Sequence, residues 1–582
     1  MPLHRGRVLI VDLTRGVCEP EALPEEWLRK YIGGKGLGLR LLHREVSPTV
    51  DPLGPENALL IMTGPFAGTA VPTSSRIVAV TRSPATGALT DSYMGGSFAA
   101  GLKFAGFDGL VLRGRSARPV VLVVEEGRGR LEPADALWGQ GTFATEKAIQ
   151  ARLGAGTTAL SIGPAGESRV PFACLTSEMS RQAGRGGAGA VMGSKHLKAI
   201  AVRGMMPVPV ADPRGFLRAL AEARANTLAP ANDWARSDGT PIIVDVTNQM
   251  GILPTRNFQA GTFEGAGRIN AGALRRRRKG QTACFSCTIA CRKVVSSPAG
   301  PRDAPEYETL GLGGSNCGIC DLDAVQRFND LCDDLGMDTI STGSVVALAM
   351  ELSERDVADY GVRFGDVGGY LGILPHIAAR RGRGEALAEG TRALAARHGV
   401  PWAIEVKGLE LPAYDPRGNY GMGLAYATSD RGACHMRAFT VFHQNPFDLD
   451  AMTNEVIAGQ NASSVKWSMI LCDFWGKVPT ALMASLLTPG LGEDVTGAEL
   501  DAVGERIWTL GRLFNVRAGF RAAQDMLPRR ILEEAHAEGP HAGRRLAPED
   551  LATMRGLYYE RRGWDADGVP TPEAVRRVGV DV

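Results

Sequence analysis

Between residues 1 and 205 the chain alternates short apolar runs with Gly, Pro and Asp. RVLIVDL (7–13), ALLIMTG (58–64), RIVAVTR (76–82), GLVLRG (109–114), VVLVVEE (120–126), TALSIG (158–163) and KAIAVRG (198–204) are each rich in Val, Ile or Leu. Runs of this length bounded by turn residues predict β-strands. Helix-like stretches interrupt them at 26–42 and 142–153. From residue 208 the period changes. Val208–Asp212, with Pro207 and Pro209, reads as a linker, and Asp212-Pro213 predicts a helix start, a capping acid followed by proline at the first position. Further on, Leu322, Val325, Phe328, Cys332 and Leu335 share one helical stripe that Gly336 closes. Residues 342–351 and 378–397 repeat this behaviour. The pattern predicts an α+β protein with a β-rich region over 1–207 and two mainly helical regions over 208–405 and 406–582. No internal repeat or low-complexity tract appears, which excludes solenoids.

Charge and composition narrow the function classes. Lys+Arg 65 against Asp+Glu 63 in 582 residues is nearly balanced, so neither nucleic acid nor a membrane surface is an expected partner. No window approaches the ~20 apolar residues of a membrane span. The opening apolar run stops at Asp12, too short for a signal peptide. Ten cysteines, three of them packed together, suit a reducing compartment and a metal site better than a disulfide framework. A cytoplasmic location is the expectation.

Those three are Cys284, Cys287 and Cys291, spaced C-x-x-C-x-x-x-C. Soft thiolates at this density select zinc, copper(I) or an iron–sulfur cluster. A [4Fe–4S] cluster takes four Cys ligands, and the fourth commonly comes from far along the chain. Structural zinc normally takes two separated pairs. Both remain open on spacing alone. Two other stretches suit ligands. SRQAGRGGAGAVMGSK (180–195) sets Arg181, Arg185 and Lys195 among five glycines, either a phosphate cradle or a Gly-rich hairpin. Asp333–Asp338 lies between two helices, where its carboxylates either meet a ligand or cap the second helix.

Many ordered segments together resemble the aldehyde:ferredoxin oxidoreductase family of tungsten bis-pterin enzymes. They are GGKGLG (33–38), VDPLGPEN (50–57), PTSSR (72–76), LKFAGFD (102–108), SIGPAGE (161–167), AGRGGAGAVMGSKHLKAIAV (183–202), the Cys triad, PEYE (305–308), DLGMDTIST (334–342), LPAYDPRG (411–418) and Cys434-His435. The resemblance covers essentially the whole chain. It implies tungsten (or molybdenum) held by pterin dithiolenes, a [4Fe–4S] cluster on Cys284, Cys287, Cys291 and Cys472, and Mg²⁺ bridging the pterin phosphates. It places Arg76, Tyr93, Gly95, Arg181, Arg185, Asp333, Asp338 and Arg437 beside the pterins. Glu308 and His435 match the family's active-site carboxylate and imidazole. The implied reaction oxidises an aldehyde with water, His435 polarising the carbonyl and Glu308 handling the proton, with electrons leaving to ferredoxin or a ferredoxin-like subunit.

The chain also departs from the family. Trp467 stands where a pterin-binding Asp is usual, Ile470 where Gly is, and Tyr93 where Asn is frequent. An E-x-x-H stretch that bridges subunits in some relatives reads Arg327-Phe-Asn-Asp330, so a homo-oligomer or a hetero-complex would form without that metal. Cys317 lies nine residues after Glu308, which keeps open a reductive relative, the tungsten subunit of aromatic acyl-CoA reductases. A zinc-stabilised binding protein without enzymatic activity is the alternative of another class. Finally, Arg275–Lys279 are five consecutive cations just ahead of Cys284, either a solvated loop or a collar steering an acidic partner.

Overall fold

The computed structural model describes residues 1–476 and 478–581. Strands β1 (Arg7–Asp12), β2 (Val17–Ala22), β3 (Leu59–Met62), β4 (Ile77–Arg82), β5 (Leu89–Met94) and β6 (Gly109–Arg113) form one sheet, ordered β2-β1-β6-β3-β4-β5. A second sheet contains β7 (Val120–Glu125), β8 (Arg128–Pro133), β9 (Thr158–Ser161), β10 (Leu175–Ser177), β11 (Arg181–Ala183) and β12 (Leu197–Arg203), ordered β11-β10-β9-β12-β7-β8. All seven apolar runs are strands. Their side chains alternate between two cores, as a period of two requires. Leu9, Val11, Ile61, Ile77 and Ala79 meet Leu122, Val124, Leu160 and Ile200 between the sheets. Val8, Ile10, Leu60, Val78 and Val80 face the other way, into a core shared with Trp467, Ile507 and Phe514. Both faces are covered, so the runs are continuously apolar instead of alternating with polar residues.

Five strands carry no such run. β2 and β8 are sheet edges rich in charge, each paired to its predecessor by a tight hairpin. β5 (LTDSYM) and β10 (LTS) are fully buried despite their polar residues, and β11 (RQA) is partly so. Asp91 of β5 meets Lys35 and Arg437 inside the protein, so polarity there marks internal partners and not solvent.

Beyond residue 212 the chain is mainly helical, as the periodicity predicts. Asp212 caps the helix Pro213–Thr227 by accepting from the Gly215 N–H. Helix Leu322–Leu335 starts at its cap Asp321 and ends at Gly336 (φ 74°). Residues 26–42 are two helices, Glu25–Tyr31 and Gly34–Glu45, broken at Ile32 (φ 64°). Residues 378–397 are likewise broken, into pieces at Leu374–Ala378, Gly384–Leu387 and Thr391–His398, with left-handed glycines at 382 and 390 between them. A third sheet, β13 (Arg278–Thr282), β14 (Arg292–Ser297) and β15 (Gly300–Asp303), is antiparallel and lacks an apolar signal. No described helix is long and apolar enough to cross a membrane.

Candidate functional site

The cysteine triad occupies the loop between β13 and β14, whose paired Thr282 and Arg292 hold its two ends. Cys472 approaches from the C-terminal side of helix Leu449–Ser468. Two loops of the first sheet join them. Cys472 N–H donates to Thr73 O at 3.1 Å and Phe285 N–H to Gly96 O at 3.2 Å. Arg76 Nη2 donates to Cys472 Sγ at 2.9 Å. A Cβ on Gly95 would sit 2.8 Å from Cys284 Sγ, so only glycine admits this approach. GGKGLG does the same for the Cys472 arm: a Cβ at Gly34 would lie 2.3 Å from Trp467 O.

Burial pushes the Cys472 thiol up to about 11, against the pull of Arg76, and raises Cys291, on which Cys472 and Cys284 also act. The Cys287 thiol is raised by burial and by Cys284, and the N–H groups of Ile289, Ala290 and Thr73 point at it. Four non-glycine residues around these thiols are left-handed: Thr73 (φ 65°), Ser286 (56°), Ala290 (46°) and Ile470 (60°). Such conformations cost about 1–3 kcal/mol each and collect where a bound group or its frame dictates them. Ile470 holds a backbone conformation that glycine adopts freely, with its side chain seated in the space Gly34 leaves. Among the described residues, no three His, Cys, Asp or Glu side chains gather closely enough for one metal ion.

Next to the thiols stands a cationic wall with free valences. Arg181 Nε and Nη2, Arg185 Nε, Arg431 Nε and Arg437 Nη1 are all buried without a hydrogen-bond partner. These five free nitrogens on four arginines fit an anionic ligand rich in acceptors, as a phosphorylated pterin is. Arg185 is anchored by Ala433 O (2.9 Å) and Glu410 O (2.6 Å) and approaches Asp338 Oδ2 at 3.5 Å. Asp338 caps helix Thr339–Glu354 through the N–H groups of Ile340 and Ser341. Asp333 is pushed well above the carboxylate range, chiefly by burial, and accepts from Gln182 and Asn329.

Two of the predicted pterin residues are largely committed to partners within the protein. Arg437 is fully buried and paired with Asp91 and Asp430, its guanidinium 4.7 Å from the Trp467 ring. Tyr93 donates its hydroxyl to Asp91 and packs on Trp467 with ring centroids 4.8 Å apart. Two of the departures, Tyr93 and Trp467, thus touch each other. Trp467 Nε1 donates to Asp473 at 3.2 Å, which brings a carboxylate to this corner from a position sequence matching passes over. Burial raises Asp473, but Lys466 and Arg76 together hold it below its ordinary value.

Glu308 and His435 come together, Oε1 to Nδ1 at 3.5 Å, with side chains 17% and 21% exposed. Neither atom has a hydrogen bond, so the pair is in contact but uncommitted. Glu308 is the middle residue of the short helix Tyr307–Thr309, which opens into a wider π-type turn over Leu310–Gly314, a feature common at functional sites. Gly311 lets Ala413 approach, and the Ala413 N–H then donates to Glu308 Oε2 at 2.9 Å. Burial pushes the Glu308 carboxyl up to about 7, against the pull of that N–H and of Arg185. Burial, then Arg185 and Arg431, press the His435 imidazole down to about 3. At neutral pH the imidazole is uncharged and the carboxyl is poised between its two states.

Arg431 and Tyr414 belong to this site and were not foreseen. Arg431 donates to Cys434 Sγ at 3.0 Å and to Asp91 O, and the Tyr414 ring lies 5.5 Å from His435. Both sit inside segments already singled out or beside them, yet nothing in residue spacing separates them from structural neighbours. Cys317 is excluded from the site. It is fully buried, its thiol facing Leu312 O and Gly343 O at 3.4 Å, and burial raises it far above the ordinary thiol value.

Comparison with known proteins identifies the family. Residues 8–204 match the family described as aldehyde ferredoxin oxidoreductase, N-terminal domain, and residues 218–580 match domains 2 and 3 of the same family. The chain is 39% identical over 608 residues to the tungsten-containing aldehyde ferredoxin oxidoreductase of Pyrococcus furiosus, covering 99% of this chain and 98% of the relative. The enzyme of the same description from Thermococcus kodakarensis is 39% identical over 605 residues, with the same coverage. In fold the chain is similar to a solved active-site complex BamBC of benzoyl coenzyme A reductase, with a TM-score of 0.87, 24% identity and 99% and 97% of the two chains covered. With both parts of the family matched in order along nearly its whole length, this chain belongs to the aldehyde ferredoxin oxidoreductase family.

Proposed function

We propose that the protein oxidises an aldehyde to its carboxylic acid, RCHO + H₂O → RCOOH + 2e⁻ + 2H⁺. The uncommitted Glu308–His435 pair, beside arginines that each keep an unpartnered N–H, carries this reading. Arg181, Arg185, Asp333 and Asp338 would hold a tungsten (or molybdenum) bis-pterin and its Mg²⁺, which would supply the two-electron redox chemistry. Cys284, Cys287, Cys291 and Cys472 hold a [4Fe–4S] cluster, and ferredoxin or a ferredoxin-like subunit accepts the electrons. Neutral His435 has an N–H to donate to the aldehyde oxygen without becoming charged. Glu308 Oε1 is the free acceptor for the proton of water. The test is visible absorption, elemental analysis for W, Mo, Fe and Zn, and aldehyde-dependent reduction of a viologen dye. A colourless zinc protein inert to aldehydes would return the reading to a metal-stabilised binding protein. Cys317, the residue that kept the reductive alternative open, is sealed in the core and does not support it.

The Glu308 value sets the pH profile. A base must be ionised, and Glu308 is protonated below about 7. kcat/KM therefore rises roughly tenfold per pH unit below about 7 and levels off above it. His435, titrating near 3, adds no break between pH 5 and 8. The profile of Glu308→Gln is flat there; a rising limb that survived in it would assign the titration to another group.

The basic run is less free than its sequence suggests. Arg275 pairs with Asp238 at 2.6 Å and Arg277 with Asp323. Among the described residues Arg276, Arg278 and Lys279 have no carboxylate partner, and all three are exposed beside the strand that leads to Cys284. The triple variant Arg276→Gln, Arg278→Gln, Lys279→Gln is expected to lose about tenfold in rate with an acidic ferredoxin at low salt and most of its salt dependence. Dye-linked rates stay close to the parent's. Equal salt slopes for variant and parent would make this run a solvated loop.

A further inference from the structure

From the structure we infer that Phe439 and Phe442 form an aromatic entrance to the Glu308–His435 site and select aldehydes with an aryl or similarly apolar tail. The inference rests on the aldehyde reading above and adds the substrate class. Four rings run in series outward from the site. His435 lies 5.5 Å from Tyr414, Tyr414 lies 5.2 Å from Phe439 at 84°, and Phe439 lies 5.7 Å from Phe442 at 70°. Phe439 is also 6.4 Å from the His435 ring itself. Phe439 and Phe442 are 39% and 59% exposed, against 3% for Tyr414 behind them. A large side chain left open to water is uninformative singly, but two in edge-to-face contact and continuous with a reactive pair mark a binding surface.

The chemistry of the surrounding chain sharpens the class. Residues 438–447, AFTVFHQNPF, contain no Asp, Glu, Lys or Arg. A phosphorylated or sulfonated aldehyde would require cations at such a mouth, and this stretch supplies none. The arginines deeper in are held by carbonyls, carboxylates and the Cys434 thiol. Aromatic side chains receive a substrate ring edge-to-face or offset, a geometry the existing pairs already display. A short aliphatic aldehyde such as acetaldehyde has no tail to reach Phe439, so it registers the reaction but not the entrance.

The experiment compares holoenzyme and the Phe439→Ala, Phe439→Tyr and Phe442→Ala variants with phenylacetaldehyde and acetaldehyde, using a viologen dye as acceptor. In Phe439→Ala the preference for phenylacetaldehyde over acetaldehyde is expected to fall about tenfold, mostly through KM, as for loss of a substrate's apolar contact. Inhibition by phenylacetate weakens in parallel. Phe439→Tyr restores the preference, and Phe442→Ala, further out, lowers it less. A preference that does not move, or an equal fall for both aldehydes, overturns the inference, as does a loss confined to a protein acceptor, which would assign the rings to a partner surface. If the parent oxidises neither aldehyde, the proposed function fails separately. Calorimetry then decides the entrance: phenylacetate binding no tighter than acetate, or equally tight in Phe439→Ala, overturns it, and tighter binding lost in that variant upholds it.

Discussion

Replacing Glu308 by Gln, or His435 by Asn, is expected to lower aldehyde turnover ~10²-fold or more while tungsten, pterin and iron contents hold. Each substitution keeps the size of the side chain and removes its proton chemistry. In Glu308→Gln the amide oxygen would still accept the Ala413 N–H that positions Glu308 Oε2, so the local backbone has no reason to move. What disappears is the free Oε1, the oxygen that takes the proton. For His435→Asn an amide still donates a hydrogen bond, but from a different place and without a ring to pack on Tyr414. Both losses should appear in kcat as well as kcat/KM, because the interactions strengthen as charge moves in the transition state. Near-normal oxidation in both variants, metal content intact, would place proton handling on other groups.

How much of this was legible beforehand follows from where each residue's partners lie. Strands such as β4 were readable because Ile77–Val80 face two cores, and continuous apolarity needs no partner to be recognised. β5 was not, because Asp91 and Tyr93 look like surface until Lys35 and Arg437 are seen opposite. The same reason hid Arg431, and hid how far Arg437 is committed to carboxylates. The helix broken at Ile32 shows a related limit: its glycines serve the approach of Trp467 and Ile470, more than four hundred residues along the chain. Local pattern carries elements whose burial is uniform. It fails where a segment is shaped by one distant contact, and the candidate site consists mostly of such segments.

Cys472 tests that long-range assembly most directly. Cys472→Ala is expected to lower iron from about four per chain toward zero, with loss or degradation of the visible absorption and the EPR signal, as when one of four thiolates is removed from a [4Fe–4S] site. The triad supplies only three ligands from one loop, and the fourth position is reached by a backbone already bonded to Thr73 and bent through left-handed Ile470. Cys317, Cys332 and Cys174 are fully buried in the core. Arg76 would keep its charge but lose the sulfur it donates to at 2.9 Å, so electron flow to a protein acceptor should fail with the cluster. A Cys320→Ala variant controls for nonspecific damage. That cysteine is half-buried and lies against Gly265, outside the loops that hold the four thiols, and its loss should leave iron and EPR at parental levels. Thermal unfolding separates ligand loss from misfolding: a folded Cys472→Ala protein without iron supports the assignment, whereas a parental EPR signal in it would remove Cys472 from the ligand set.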